Sequence, residues 1–444
     1  MIDRPRQPRL TVRVVVCGLV LSAVLAGPSA KGATVAPTPS TWIPVAPKQV
    51  QVAGVAVFAG RGFIVTPSTQ GPLTPVPANR ALVVQRRGRY THVVRRLTLP
   101  DDIGSVVAVT PDVHGRWLVL SMPVVNGVIP YNTGRLTRLT AQGVIDTTFG
   151  TGGVSSLSGT PMRAASDGEG RPVILMSRTT LPLPGTSTTL VTRLTTSGQT
   201  DPTFGSGGTA PVPPPTGRAA SILGAPADSL IASPRTLTVT PANAIIVAGT
   251  ISDIPNGSIG YLTKLTSSGT PDAAFGDGDG TVTYGPFRND PILAGAFGAA
   301  VSVERALGRI YVVGRPNGYD RDLTWRRTAD GRRDAAYGTL GWSRPATADP
   351  NMQGTATIQG AALCTGGFVQ TTPQQIRITT RTGRPDASYG RRGTITVPEK
   401  SPLGRIDAAA TDIRRCPTDH LAVSARVRHG KGGVTLIWLS LPTR

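Results

Sequence analysis

Arg138-Leu139-Thr140-Ala141-Gln142-Gly143-Val144-Ile145-Asp146-Thr147-Thr148-Phe149-Gly150-Thr151-Gly152-Gly153 returns as Arg193-Leu194-Thr195-Thr196-Ser197-Gly198-Gln199-Thr200-Asp201-Pro202-Thr203-Phe204-Gly205-Ser206-Gly207-Gly208, with ten of sixteen positions identical. It recurs as Lys264-Leu265-Thr266 with Gly269, Asp272, Phe275 and Gly276, then as Arg327-Thr328 with Gly331, Asp334, Tyr337 and Gly338. A fifth copy carries Thr380, Gly383, Asp386, Tyr389 and Gly390. Successive aspartates lie 55, 71, 62 and 52 residues apart, the length of a four-stranded unit with loops that vary and too long for a two-helix repeat.

The residues between the cassettes read as strands. Val106–Thr110 and Trp117–Ser121, or Thr236–Thr240 and Ala244–Ala248, are β-rich runs that precede a cassette. The cassette opens on a third strand, and a fourth, such as Thr281–Tyr284, follows it. Within the hairpin joining third and fourth strands, the first glycine takes positive φ and the aspartate caps backbone N–H groups. The aromatic residue then fills the space between neighbouring units, and the next glycine turns the chain. Asp146, Phe149, Asp201, Phe204, Asp272, Phe275, Asp334, Tyr337, Asp386 and Tyr389 are therefore read as turn structure, since function seldom needs five copies of one acid.

These cassettes resemble the delta-60 repeat, a β-propeller-type family of bacterial exported and surface proteins whose consensus runs through Arg-Leu, a Gly, then Asp-x-x-Phe-Gly. The resemblance is strong over residues 135–284 and fair over 298–397. It implies an all-β propeller. Repeats at about 54–99, 104–157, 160–212, 233–284, 298–345, 355–397 and 406–442 give seven four-stranded blades, with six as the second choice if the degenerate first repeat is a separate cap. The last repeat supplies only three strands. Residues 42–52 are expected to complete it as an outer strand, leaving the ring no open edge, and Pro44 and Pro47 suit that position.

Composition agrees: 53 Gly and 40 Pro in 444 residues favour short strands and turns, while 39% apolar content is enough for a core. Residues 1–30 read as a secretory signal, with Arg4, Arg6, Arg9 and Arg13 ahead of the apolar stretch Val14–Leu25; a retained anchor is the alternative. Residues 31–41 are a Pro/Thr/Ser-rich linker. The protein is thus expected to be secreted or envelope-associated. Cys364 and Cys416 lie in matching turns of neighbouring repeats and are expected to form a disulfide, adding on the order of 4 kcal/mol against unfolding.

The formal charge is +21, and it is unevenly placed. Residues 42–100 carry eight basic and no acidic side chains, residues 101–297 net −2, and residues 298–444 net +11. In a closed ring the first and last blades touch, so the positive charge falls on one continuous half. An anionic cell-wall polymer or a surface protein is the expected partner, and peripheral membrane contact stays open. The opposing reading is coding bias, with 41 Arg against 5 Lys, as solvated arginine needs no partner. Nucleic acid is not expected, because export removes the usual targets and no basic run is interleaved with stacking aromatics.

Candidate ligand residues come from the loops joining second to third strands, on the face opposite the cassettes: Arg315, Tyr319 and Arg321 in one, and Arg428, His429 and Lys431 in another. No catalytic residues, cofactor or metal are assigned. Histidine limits catalysis, with His92, His114, His420 and His429 scattered. Asp277-Gly278-Asp279-Gly280 is half of a calcium loop without the closing Glu, and Asp167-Gly168-Glu169-Gly170 reads as a polar turn. The leading reading is an exported, monomeric, non-catalytic binding propeller. The alternative is an extracellular glycan or ester hydrolase or lyase using carboxylates in the central channel.

Overall fold

The computed structural model describes residues 43–44, 54–66, 80–87, 90–100, 103–180, 187–253, 257–284, 300–304, 307–314, 323–343, 359–363, 366–371, 375–387, 393–396, 405–412, 420–426 and 433–440. They form seven four-stranded antiparallel sheets. With strands lettered a to d outward, blade 1 is Gly54–Phe58, Arg61–Thr66, Arg80–Arg87 and Tyr90–Thr98. Blade 2 is Ser105–Pro111, Trp117–Met122, Gly134–Leu139 and Val154–Leu157; blade 3 is Thr160–Ser166, Pro172–Thr179, Ser187–Arg193 and Thr209–Pro211. Blade 4 is Ile231–Val239, Ile245–Asp253, Gly257–Leu265 and Thr281–Tyr284; blade 5 is Ala300–Val303, Ile310–Gly314, Leu323–Arg327 and Trp342–Ser343. Blade 6 is Gln359–Ala362, Phe368–Thr371, Gln375–Thr379 and Thr394–Thr396.

Blade 7 draws on both ends of the chain, with Arg405–Asp412, His420–Arg426 and Gly433–Ser440 as a to c and Ile43–Pro44 as d. Every a strand lies against the a strand of the next blade, and Gly54–Phe58 lies against both Ser105–Pro111 and Arg405–Asp412. The sheets thus close into a propeller ring. Of the expected outer strand over 42–52, the described residues are Ile43 and Pro44, which pair Val434 and Gly433; the remainder lies outside the described residues.

The core is divided among the blade interfaces. Because a blade is covered on both faces, the b strands of blades 1 to 5 carry an unbroken apolar run, such as Phe63–Val65, Trp117–Leu120 and Val173–Met176, instead of alternating with polar residues. On Trp117–Met122, Trp117 and Val119 pack toward blade 1 with Phe63 and Val83, while Leu118 and Leu120 pack toward blade 3 with Ile174 and Met176. Phe63 and Trp117 stack at 5.5 Å. Between blades 4 and 5, Ile246, Phe275, Tyr284, Val312 and Trp325 share one cluster.

Two features interrupt the strand rhythm. Helix α1 (Thr216–Leu223) follows blade 3, ends on Gly224 at φ 67°, and buries Ala219 against Ile251, Ile259 and Tyr261 of blade 4. Between strands b and c of blade 2, Val125 and Val128 bond across an Asn126-Gly127 turn, both central residues having positive φ.

Candidate functional site

The cassette turns lie on one face of the ring. In blade 3 the Asp201 carboxylate accepts the backbone N–H and hydroxyl of Thr203 at 3.0 and 2.7 Å, which closes the turn. Its other oxygen accepts Arg193 Nε at 2.7 Å. Arg193 then reaches into blade 4 and donates to the Ser267 carbonyl. Blade 2 repeats the arrangement with Arg138, Asp146 and the Thr196 carbonyl of blade 3, and blade 5 with Arg326, Asp334 and the Arg381 carbonyl of blade 6. Lys264 does the same in blade 4, pairing Asp272 at 2.9 Å and the Ala329 carbonyl at 3.2 Å. Beside each latch the next blade's turn also accepts a backbone bond, as from Gly150 N–H to the Ser197 carbonyl at 2.7 Å.

The aromatic residues stand where this latch crosses. Phe149, Phe204, Phe275 and Tyr337 are fully buried, with the cationic head 4.4, 4.7, 5.5 and 4.6 Å from each ring centre. Gly198, at φ 86°, is needed for packing as well as for its turn: a Cβ there would sit 2.9 Å from the Phe149 ring of the preceding blade. Asp386 is described and its backbone N–H bonds the Ile378 carbonyl; Tyr389 lies outside the described residues.

Two corrections follow for the arginines. The side chains of Arg138, Arg193 and Arg326 are 3%, 4% and 2% exposed, so they are blade-to-blade struts and not solvated charge. In blade 5 the strut is Arg326, one residue before the Arg327 read from the sequence, because the strut stands eight residues before its aspartate. Arg327 is instead turned toward Thr283 and Gly331, whose carbonyls it meets, and burial pushes it down to about 10.

Burial alone would raise the carboxylates of Asp146, Asp201 and Asp272. Hydrogen bonds from Thr148, from Thr203, and from Lys264 and Ala274, with the adjoining Arg138, Arg193 and Lys264 charges, outweigh it and hold all three below the ordinary range. A carboxylate so held contributes stability that is full above its unfolded pKa and is lost as pH falls through the folded one. The urea midpoint is therefore expected to be flat down to about pH 5 and to drop steadily below about pH 4. A midpoint unchanged at about pH 3 would contradict this.

The sequence-derived ligand residues Arg315, Tyr319, Arg321, Arg428, His429 and Lys431 lie outside the described residues, as do Cys364, Cys416 and the stretch 1–30. Asp277 and Asp279 are engaged by Arg218 of α1 at 2.8 and 3.3 Å. Asp167 accepts the N–H groups of Glu169 and Arg171 and the Arg171 side chain, a polar turn. Asp112 does likewise with His114 and Arg116.

Three surfaces remain. On the cassette face, Arg332 and Arg333 of blade 5 and Arg381 and Arg384 of blade 6 are exposed on adjacent turns, with Arg332 82% open and 3.4 Å from Asp330. The same turns in blades 2 to 4 carry Gln142, Val144, Thr196, Gln199, Ser267 and Thr270. On the other face, the blade 2 hairpin presents Val125, Val128, Ile129 and Tyr131, all exposed, and is tied to blade 3 by Asn132 bonding both the carbonyl and the N–H of Thr179. In the channel, Arg163 and Arg235 occupy the middle of two innermost strands and are exposed. Sequence reading missed both channel residues. The available signal was a proline followed within two residues by arginine in consecutive a strands, Pro161-Met162-Arg163 and Pro234-Arg235.

No protein-family model and no curated protein matches this chain. Solved structures do. The chain is similar to the polysaccharide lyase Uly1 at 10% identity and TM-score 0.52, covering 96% of this chain and 95% of that one. It is also similar to the β-propeller domain of the Trilobed protease from Pyrococcus furiosus, at 9% identity and TM-score 0.46 over 89% and 94% of the two chains. A protein of unknown function from Dyadobacter fermentans aligns at 9% identity and TM-score 0.44, over 91% and 99%. At such identities the likeness to Uly1 speaks for the propeller fold alone.

Proposed function

We propose that this is an exported, non-catalytic propeller that binds an anionic polymer of the cell envelope through a basic arc of its ring. The observation that carries it is the exposed set Arg332, Arg333, Arg381 and Arg384 on neighbouring cassette turns, where blades 2 to 4 present neutral side chains. Ring closure extends this arc. Blade 1, drawn from a stretch with no acidic residue, lies beside blade 7 and exposes Arg95. We assign the arc to the cassette face; the opposite loops favoured from sequence lie outside the described residues. The resemblance of the cassettes to delta-60 repeats of exported and surface proteins, and the signal-like first thirty residues, support the envelope as its location.

The enzymatic alternative requires two close acids facing the channel. The innermost strands of blades 1 to 6 carry no acidic residue; that of blade 7 contains Asp407 and Asp412, whose side chains lie outside the described residues. Sedimentation of the purified protein with isolated envelopes over a salt series tests the proposal. Binding is expected at low salt and is expected to fall away as exposed charges are screened beyond about 10 Å at roughly 0.1 M. Absent binding at low salt, or binding indifferent to salt, would sink it. Contact with a surface protein is a second reading, favoured by the apolar hairpin. Salt-indifferent sedimentation lost in a Val128→Ser/Tyr131→Ser variant would favour that reading instead.

A further inference from the structure

A side chain in the middle of an innermost strand has a neighbouring blade on either side, so it reaches solvent only through the central channel. Arg163 lies midway along Thr160–Ser166 and Arg235 midway along Ile231–Val239, and both are exposed while Pro161 and Pro234 beside them are buried. Each belongs to a break in the a–b ladder. Pairing skips Met162 between Pro161↔Met176 and Arg163↔Leu175, and skips Arg235 between Pro234↔Gly249 and Thr236↔Ala248. In both blades four paired positions separate the break from the turn into the b strand, which puts the breaks at the same height in adjacent blades. A bulge re-aims the side chains at its two positions, and a proline suits it because no ladder N–H is lost.

Arg163 and Arg235 stand on the touching innermost strands of blades 3 and 4, and neither forms an ion pair with a carboxylate among the described residues. Arg163 has one hydrogen bond in the structure, to the Met162 carbonyl at 2.7 Å. Its pKa is lowered by burial first and then by the charge of Arg235, which places the two within electrostatic reach. Innermost-strand acids occur only in blade 7, as Asp407 and Asp412, on the opposite side of the ring from blades 3 and 4 and with side chains outside the described residues. Two planar five-donor groups side by side fit one group that carries two negative charges and several acceptor oxygens. Monovalent carboxylates would relieve only half the repulsion.

We propose that the channel wall between blades 3 and 4 is a binding site for a phosphate dianion, either free or as a phosphomonoester on a small molecule, held by Arg163 and Arg235. The site is separate from the basic arc, since it lies in the region of the chain whose net charge is −2. Its failure and the failure of the polymer reading are therefore distinguishable. Isothermal titration of the full chain with inorganic phosphate, glycerol phosphate and acetate, at ionic strength matched with chloride, tests it. Saturable binding of inorganic phosphate and at least ten-fold weaker binding of acetate are expected. Tighter glycerol phosphate would mark the ligand as a phosphomonoester, and tighter inorganic phosphate as the free ion. Arg163→Gln and Arg235→Gln should each weaken phosphate at least ten-fold, while Arg178→Gln, at an exposed residue that donates to the Ser158 carbonyl, leaves it unchanged. The wild-type titration requires no variant to fold. Absence of saturable phosphate binding, acetate bound equally well, or unchanged affinity in the Arg163→Gln/Arg235→Gln double variant would overturn the site.

Discussion

Asp201→Ala is expected to destabilise the protein by about 3–5 kcal/mol, measured by urea unfolding at neutral pH. The estimate follows from what the substitution leaves behind. Arg193 and Asp201 are 4% and 6% exposed and pair at 2.7 Å, and the remaining guanidinium partners, Thr203 Oγ1 and the Ser267 carbonyl, are neutral. An uncompensated buried cation costs more than the pair contributes while intact. Replacing both partners with Arg193→Met/Asp201→Ala should accordingly cost less than the single change, because the charge that needed solvation is gone. A single-variant loss under about 1 kcal/mol would show that water reaches the strut.

Phe204→Ala is expected to cost about 3–5 kcal/mol by the same measurement. The ring is fully buried at the interface of blades 3 and 4, packed with Leu175, Val191, Leu237, Ile245 and Val247. Gly269 of the next turn comes so close that a Cβ there would lie 3.0 Å from Phe204 Cε2. The backbone on both sides is fixed by latch bonds, which limits collapse into the space, so the cavity term persists. Val144→Ala, at a site 45% exposed in the equivalent turn of blade 2, should stay within about 0.5 kcal/mol. Phe204 and Arg193 touch, with the guanidinium 4.7 Å from the ring centre, so the two substitutions should not be additive.

The strand rhythm was legible because β-rich runs recur along the chain and one fixed turn marks five of the seven periods. Seven units follow from counting them, and the sheets number seven. The closing of blade 7 by the N-terminal stretch was legible from its three-strand count, and Ile43 and Pro44 pair there. The latch was hidden. Arg138 and Asp146 stand eight apart and read as a local turn, but the same guanidinium ends on a carbonyl 58 residues away. Only the stacking of successive blades creates that contact. Helix α1 contains Gly217 and follows three prolines, so two turns of amphipathic pattern did not stand out.

The candidate site was less legible than the fold. Summed charge located the basic half, yet part of that sum is internal: Arg326 and Arg377 are buried in blades 5 and 6. What distinguishes Arg326 from exposed Arg332 is position within the turn, which composition does not carry. The channel arginines depend on a ladder break after a proline, a feature of pairing and not of residue type.

The central claim is that exposed arginines of neighbouring cassette turns hold an anionic envelope polymer. It is tested most directly by the slope of log affinity against log salt for wall-polymer binding, compared between the wild type and an Arg332→Gln/Arg333→Gln/Arg381→Gln/Arg384→Gln variant. Each polymer charge neutralised by a cation releases a counterion and steepens that slope. The account predicts a shallower slope and at least ten-fold weaker binding at low salt for the variant; equal slopes and equal affinities would contradict it.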